Sequence, residues 1–96
     1  MSAIAGKPTR IVYKARNDVL AMNAAKFGQW TKDDDRIYDQ KDRFAIRVKR
    51  EKRRFWLKIN NVHIGDEGLY SFRINDTVVG QWQLQVKGNC KVFILK

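Results

Sequence analysis

An all-β domain is what this chain's pattern predicts, on three observations. Apolar and polar residues alternate through Phe55/Leu57/Ile59 and again through Tyr70/Phe72/Ile74, the period of a strand with one buried face. Turn-forming clusters punctuate the runs, at Asn17-Asp18, Asp33-Asp34-Asp35 and Asn75-Asp76-Thr77. No segment of ten or more residues carries a clear 3.6-residue apolar period. A chain of 96 residues is one domain, of a size at which folding hides about 65% of the unfolded surface around a single core.

Taken in order, residues 1–9 read as a flexible entry closed by Pro8. Residues 10–16 (RIVYKAR) suit a first strand with Ile11 and Tyr13 on one side. After the Asn17-Asp18 turn, residues 19–24 (VLAMNA) are expected as a second strand, with Leu20, Met22 and Ala24 sharing a face. Residues 29–33 (QWTKD) form the next strand around Trp30. Asp33, Asp34 and Asp35 make a turn; adjacent carboxylates without a spaced glycine and glutamate do not make a calcium loop. Ile37 and Tyr38 form a short segment, and residues 44–48 (FAIRV) alternate with Phe44, Ile46 and Val48 inward. Residues 49–54 (KREKRR) are a hairpin tip, and residues 55–59 the strand that follows it. Residues 60–65 turn a corner, with Val62 closing the bottom of the core. Residues 69–74 and 78–86 are the last two strands, with Trp82, Leu84 and Val86 inward and Gly80 at a bulge. The domain proper spans 10–88. Residues 89–96 (NCKVFILK) are a tail with three readings: the start of a following domain, which is favoured, a segment packed on this domain's edge, or an appended remnant.

The spacing L-x-I at Leu57 and Ile59, a hydrophobe at Val62, then D-x-G-x-Y at Asp66, Gly68 and Tyr70 resembles the immunoglobulin superfamily. W-x-K-D at Trp30, Lys32 and Asp33 adds to the likeness. The resemblance implies an immunoglobulin-like β-sandwich of two antiparallel sheets and seven to eight strands. In it, residues 10–16 are strand A or A′, 19–24 B, 29–33 C, 44–48 D, 55–59 E, 69–74 F and 78–86 G. Trp30 becomes the core tryptophan, and Tyr70 the corner tyrosine whose hydroxyl bonds to upstream backbone. Asp66 is expected to pair with Arg43. Phe72 stands where the family has its second cysteine, and Ala24 or Met22 where it has the first. A small and a large side chain facing each other would then replace the disulfide. With Cys90 as the one cysteine, the absent pair favours a reducing, cytoplasmic setting. Within the superfamily, Trp30, Asp66 and Tyr70 resemble the I-set, or a short V-like variant. The resemblance to intracellular I-set domains of muscle and cytoskeletal proteins such as titin, myosin-binding protein C and palladin implies a scaffolding module.

Charge supplies the functional expectation. The chain has 20 basic and 10 acidic residues, a net +10, a field that favours acidic partners. Between Lys41 and Lys58 lie nine basic and two acidic residues. Arg47, Lys49, Arg50, Lys52, Arg53, Arg54, Trp56 and Lys58 are the expected contact residues, with Arg47, Trp56 and Lys58 outward on the A-B-E-D sheet. Tryptophan beside arginine is enriched at interfaces. The competing reading is a solvated hairpin with Trp56 under arginine stems. A second, neutral face would present Gln29, Thr31, Ser71, Gln81, Gln83 and Gln85, with Arg73 its main charge.

The expected partner is a protein with an acidic surface, a filament protein among the candidates, with neighbouring immunoglobulin domains in a longer chain. The alternative is an extracellular receptor or adhesion domain that binds an acidic ligand or heparan sulfate. Nucleic acid is disfavoured because no stacking platform of a known module is evident. His63 and Cys90 are too few for a metal set. No serine–histidine–acid arrangement and no phosphate-binding glycine loop is apparent, so neither enzyme activity nor a cofactor is expected. The opening MSAIAGKPTR is too short in apolar residues for a signal peptide, and no run approaches the ~20 of a membrane span. Asn75-Asp76-Thr77 matches a glycosylation acceptor, which is silent in the cytosol.

Overall fold

The computed structural model describes residues 1–40 and 43–88. Eight strands and one helix follow in order: β1 (Ser2–Ile4), β2 (Thr9–Lys14), α1 (Asp18–Phe27), β3 (Gly28–Lys32), β4 (Asp35–Arg36), β5 (Phe44–Lys49), β6 (Arg54–Ile59), β7 (Gly68–Ile74) and β8 (Thr77–Lys87). They form two sheets, β1-β8-β7-β3-β4 and β2-β6-β5. All pairings are antiparallel except β1, which runs parallel to β8. The tail at 89–96, Cys90 included, lies outside the described residues.

Two tight turns follow directly from side-chain chemistry. β3–β4 is joined through Asp33 and Asp34, and β7–β8 through Asn75 and Asp76, all four with positive φ. Two left-handed central residues define the hairpin turn whose twist matches the strands, and Asn and Asp are the non-glycine residues that tolerate it. Between Phe72 and Arg73 the β7–β8 register shifts, which leaves Val79 unpaired beside Gly80, at the expected bulge.

Three expectations are corrected. Residues 1–9 are not simply a flexible entry, because Ser2–Ile4 pairs with Gln85, Val86 and Lys87. Residues 19–24 are not a strand; they lie within α1. Asn17 is the cap, its side chain accepting from the Leu20 N–H at 2.8 Å, with Asp18 in the first turn and Lys26 in the last. Such a cap contributes about 1 kcal/mol, and Ala21, Ala24 and Ala25 are the strongest helix formers. Buried Ala24 and the half-buried Leu20 and Ala21 make the inward stripe, whereas Met22 is 66% exposed. The place meant for residues 19–24 belongs to β2, which pairs with β6 along its whole length. Val48, expected inward, is also exposed because β5 is an edge strand whose far end leaves the core.

The substitute for the missing disulfide is therefore neither Ala24 nor Met22. Tyr13 on β2 stacks on Phe72 of β7 across the sandwich, with centroids 4.9 Å apart and planes 28° apart. Phe55 stacks on the same ring at 5.6 Å, Trp30 tilts against it at 4.9 Å, and Trp82 extends the group through Trp30. Each aromatic pair adds about 0.5–1.5 kcal/mol beyond the area it buries. Trp30, Tyr70, Ile11, Leu57, Ile59, Leu84 and Val62 complete the fully buried set.

Phe72→Ala should cost about 3–5 kcal/mol in a denaturant melt, because the void opens where several rings meet and β-sheet backbone cannot collapse into it.

Candidate interaction surface

The corner between β6 and β7 comes first because it fixes how the outer surface is presented. Asp66, 4% exposed, sits at the end of a short 3-10 turn. Its carboxylate accepts from the Arg43 guanidinium and from the His63 backbone N–H at 2.9 Å. Arg43 also donates to the Asn60 and Asn61 carbonyls at 2.7 and 3.0 Å, so it ties the start of β5 to the corner. The Tyr70 hydroxyl donates to the Asp66 carbonyl at 2.6 Å. Gly68, at φ +156, leaves room for the Asp33 carboxylate, which accepts from the Leu69 N–H at 3.0 Å. The pairings expected of Arg43, Asp66 and Tyr70 are thus all made. His63 contributes its backbone N–H, and its ring Nδ1 lies 3.9 Å from the Asp66 carboxylate. Among the described residues no group of His, Cys, Asp and Glu is placed to hold a metal ion.

The basic residues divide into two groups. Alternation along β6 sends Phe55, Leu57 and Ile59 inward and Arg54, Trp56 and Lys58 outward. The register of the three-stranded sheet then builds cross-strand rows on its outer face: Arg10–Lys58–Ala45, Val12–Trp56–Arg47 and Lys14–Arg54–Lys49. Six cations surround Trp56, with neighbours about 4.8 Å apart across strands and about 6.8 Å apart along them. Among the described residues one carboxylate approaches this face, Asp39 at 3.9 Å from Arg47, with both side chains mostly exposed. The Arg10 guanidinium lies 5.5 Å from the Trp56 ring centroid, within cation–π range. Pro8, Thr9, Arg10, Arg47, Trp56 and Lys58 line a depression of about 440 Å³ there.

Arg47, Lys49, Arg54, Trp56 and Lys58 are therefore brought together, and Arg50, Lys52 and Arg53 are not. Arg50 and Lys52 occupy a 3-10 turn at the hairpin tip. Arg53 adopts the left-handed conformation at φ 54 and donates to the Arg16 carbonyl at 3.2 Å, beside Asp18. Its role is to fasten the tip to the end of β2. Arg10 and Lys14 join the face although they lie far from the basic run between Lys41 and Lys58 in sequence. Their alternation with Ile11 and Tyr13 was visible, but the strand they pair with was not.

The neutral face is smaller than expected. Thr31 and Ser71 are buried, although they alternate outward on β3 and β7. Arg73 reaches from the row of Gln29 to Asp34 at 2.6 Å, which lays its stem along the row that holds them.

Known structures resemble this arrangement. The first immunoglobulin domain of the mouse polymeric immunoglobulin receptor matches 91% of this chain and 88% of its own, with a TM-score of 0.76 at 18% identity. The structure of Dpr2 Ig1-Ig2 in complex with DIP-Theta Ig1-Ig3 matches 92% of this chain and 42% of that one, with a TM-score of 0.72 at 15% identity. This is an immunoglobulin fold. Dpr1 IG1 bound to DIP-eta IG1 gives 90% and 86% coverage, with a TM-score of 0.67 at 13% identity. No family model and no curated protein matches the chain. No described helix is long and apolar enough to cross a membrane.

The corner of this immunoglobulin fold has two measurable consequences. Arg43→Met strands the buried Asp66 carboxylate and should cost about 3–5 kcal/mol of unfolding free energy, whereas a reversal at exposed Lys52 should change it by less than about 0.5 kcal/mol. Burial, then the Asp66 charge, raises the Tyr70 pKa well above the ordinary 10.0, against the opposing pull of Arg43. The folded state thus holds this proton longer than the unfolded one. Stability from Tyr70 is present in full below pH 10 and is lost as pH climbs above it. Tyr70→Phe should cost about 1 kcal/mol at neutral pH and flatten the alkaline decline in stability.

Proposed function

We propose that this chain is a non-enzymatic protein-recognition module that docks an acidic protein surface on the outer face of β2-β6-β5. The grid of six cations around Trp56 carries the reading. Like charges set opposite one another weaken a sheet by about 0.2–1 kcal/mol per pair, and an acidic partner converts that repulsion into attraction. Trp56 at the middle of the grid supplies the large, rigid contact area typical of an interface anchor. The Dpr and DIP structures, complexes of immunoglobulin domains by their own description, support recognition as a use for this fold.

A scaffolding role in the cytoplasm, in a muscle or cytoskeletal protein with neighbouring immunoglobulin domains, is supported by the Tyr13–Phe72 stack, which closes the sandwich without an oxidised pair. A second reading, an extracellular receptor or adhesion domain, is favoured by the likeness to the receptor's first domain. Asn75 is exposed at its turn and reports between them. Expression through the secretory pathway that yields a stable product glycosylated at Asn75 would support the receptor reading and count against the cytoplasmic one.

The face is tested by pull-down with the triple variant Arg47→Glu, Arg54→Glu, Lys58→Glu beside the tip variant Arg50→Glu, Lys52→Glu. The face variant should lose its acidic partner, each reversal weakening binding by about tenfold or more, while the tip variant keeps it. Retention of every partner by the face variant would remove the face from the function.

A further inference from the structure

Among the described residues the three-stranded sheet has an unpaired edge at β2. β2 pairs with β6 on one side, and among the described residues no strand pairs with the other. The Ala15 N–H donates to the Arg53 carbonyl at 2.9 Å. Residues of an antiparallel pair alternate between bonded and non-bonded positions, so Tyr13, Ile11 and Thr9 continue the bonded set. Arg10, Val12 and Lys14 then direct their backbone N–H and C=O groups away from β6. These are the same residues whose side chains begin each row of the basic face.

The described residues pass this slot by. β1 lies against β8 in the other sheet, where the Ala5 N–H donates to the Lys87 carbonyl, and residues 5–8 cross over to begin β2. A groove of about 400 Å³ adjoins β2, lined by Tyr13, Leu20 and Val79 with Lys14 and Arg16. The opposite edge, β5, is less available. Gln40 and Phe44 exchange backbone hydrogen bonds there at 2.8 and 2.9 Å, and Asp39 brings a carboxylate to Arg47.

We infer that the β2 edge takes an extended acidic segment of a partner protein as a fourth strand. Its backbone pairs with Arg10, Val12 and Lys14. Its acidic side chains lie beside Arg10 and Lys14, and its apolar ones turn into the groove. Backbone pairing of this kind supplies affinity, and alternate side chains supply specificity. The inference rests on the acidic-partner reading above and names the shape of that partner. A second copy of the chain fits poorly, since antiparallel pairing of two β2 edges about Val12 sets Arg10 of each copy against Lys14 of the other, like charge on like.

The test uses the full chain, isotope-labelled for amide hydrogen exchange, with two synthetic ten-residue peptides. One alternates glutamate with valine; the other has the same composition with its glutamates grouped at one end. The alternating peptide should bind about tenfold more tightly and protect the amides of Arg10, Val12 and Lys14. Val12→Pro removes a donor that no bond among the described residues uses and should weaken binding by a similar factor. N-methylation of the peptide's edge-facing amides should do the same without touching the protein's fold. Equal binding of both peptides, with no protection on β2, overturns the strand addition and leaves the acidic-face reading intact. Binding of neither overturns both. Amides of Arg10, Val12 and Lys14 already protected in the free chain would mean that the chain covers its own edge, and would overturn an external occupant.

Discussion

Phe72 is the point on which the two sheets agree. Its ring receives Tyr13 and Phe55 from the three-stranded sheet and Trp30 from its own. Aromatic planes meet at fixed separations, so the stack sets the spacing of the sheets without a covalent link. The same ring constrains α1, because Gly28, at the junction of α1 and β3, leaves no room for a side chain between the helix end and Phe72. A bond between sulfur atoms occupies little volume, and four rings occupy a great deal. The helix is part of the packing that accommodates them.

The outer surface is a consequence of that inner arrangement. A strand's side chains alternate, so fixing Phe55, Leu57 and Ile59 inward fixes Arg54, Trp56 and Lys58 outward, and Ile11 with Tyr13 does the same for Arg10, Val12 and Lys14. A slip of one residue would drive the four cations of these two strands, Arg10, Lys14, Arg54 and Lys58, into the core. The register is protected by the charges as much as by the hydrophobes. The Arg43–Asp66–Tyr70 network then locks the strand order by joining the entry of β5 to the exit of β6.

Local chemistry was legible in the sequence, and long-range pairing was not. β6, the corner and β7 were readable because five positions at set spacing leave few alternatives, and Trp30 and Val62 took the places expected of them. The helix was missed because Leu20, Met22 and Ala24 also fit a period of two. The cap at Asn17, followed by Asp18 and an alanine-rich turn, was the discriminating signal, and it resembles a turn when read alone. From that error the placement of β2 followed, since a strand assigned to residues 19–24 pushes residues 10–16 outward by one position in the sheet. For the same reason only part of the expected contact set comes together on one face. A run of basic residues shows where charge is, but only strand pairing shows that Arg10 and Lys14 belong with Arg54 and Lys58, and that Arg53 turns back to hold Arg16.

The parallel pairing of β1 with β8 determines how the domain would answer a pull applied at its two ends. Tension that enters before Ser2 and leaves after Lys87 pulls two parallel neighbours in opposite directions, so their hydrogen bonds are loaded together in shear rather than opened one by one. Once that short clamp slips, no covalent tie between Tyr13 and Phe72 limits the extension. The stretch between them can then pay out at about 3.3–3.6 Å per residue. A stack of rings closes the sandwich firmly at rest and releases all of it under force.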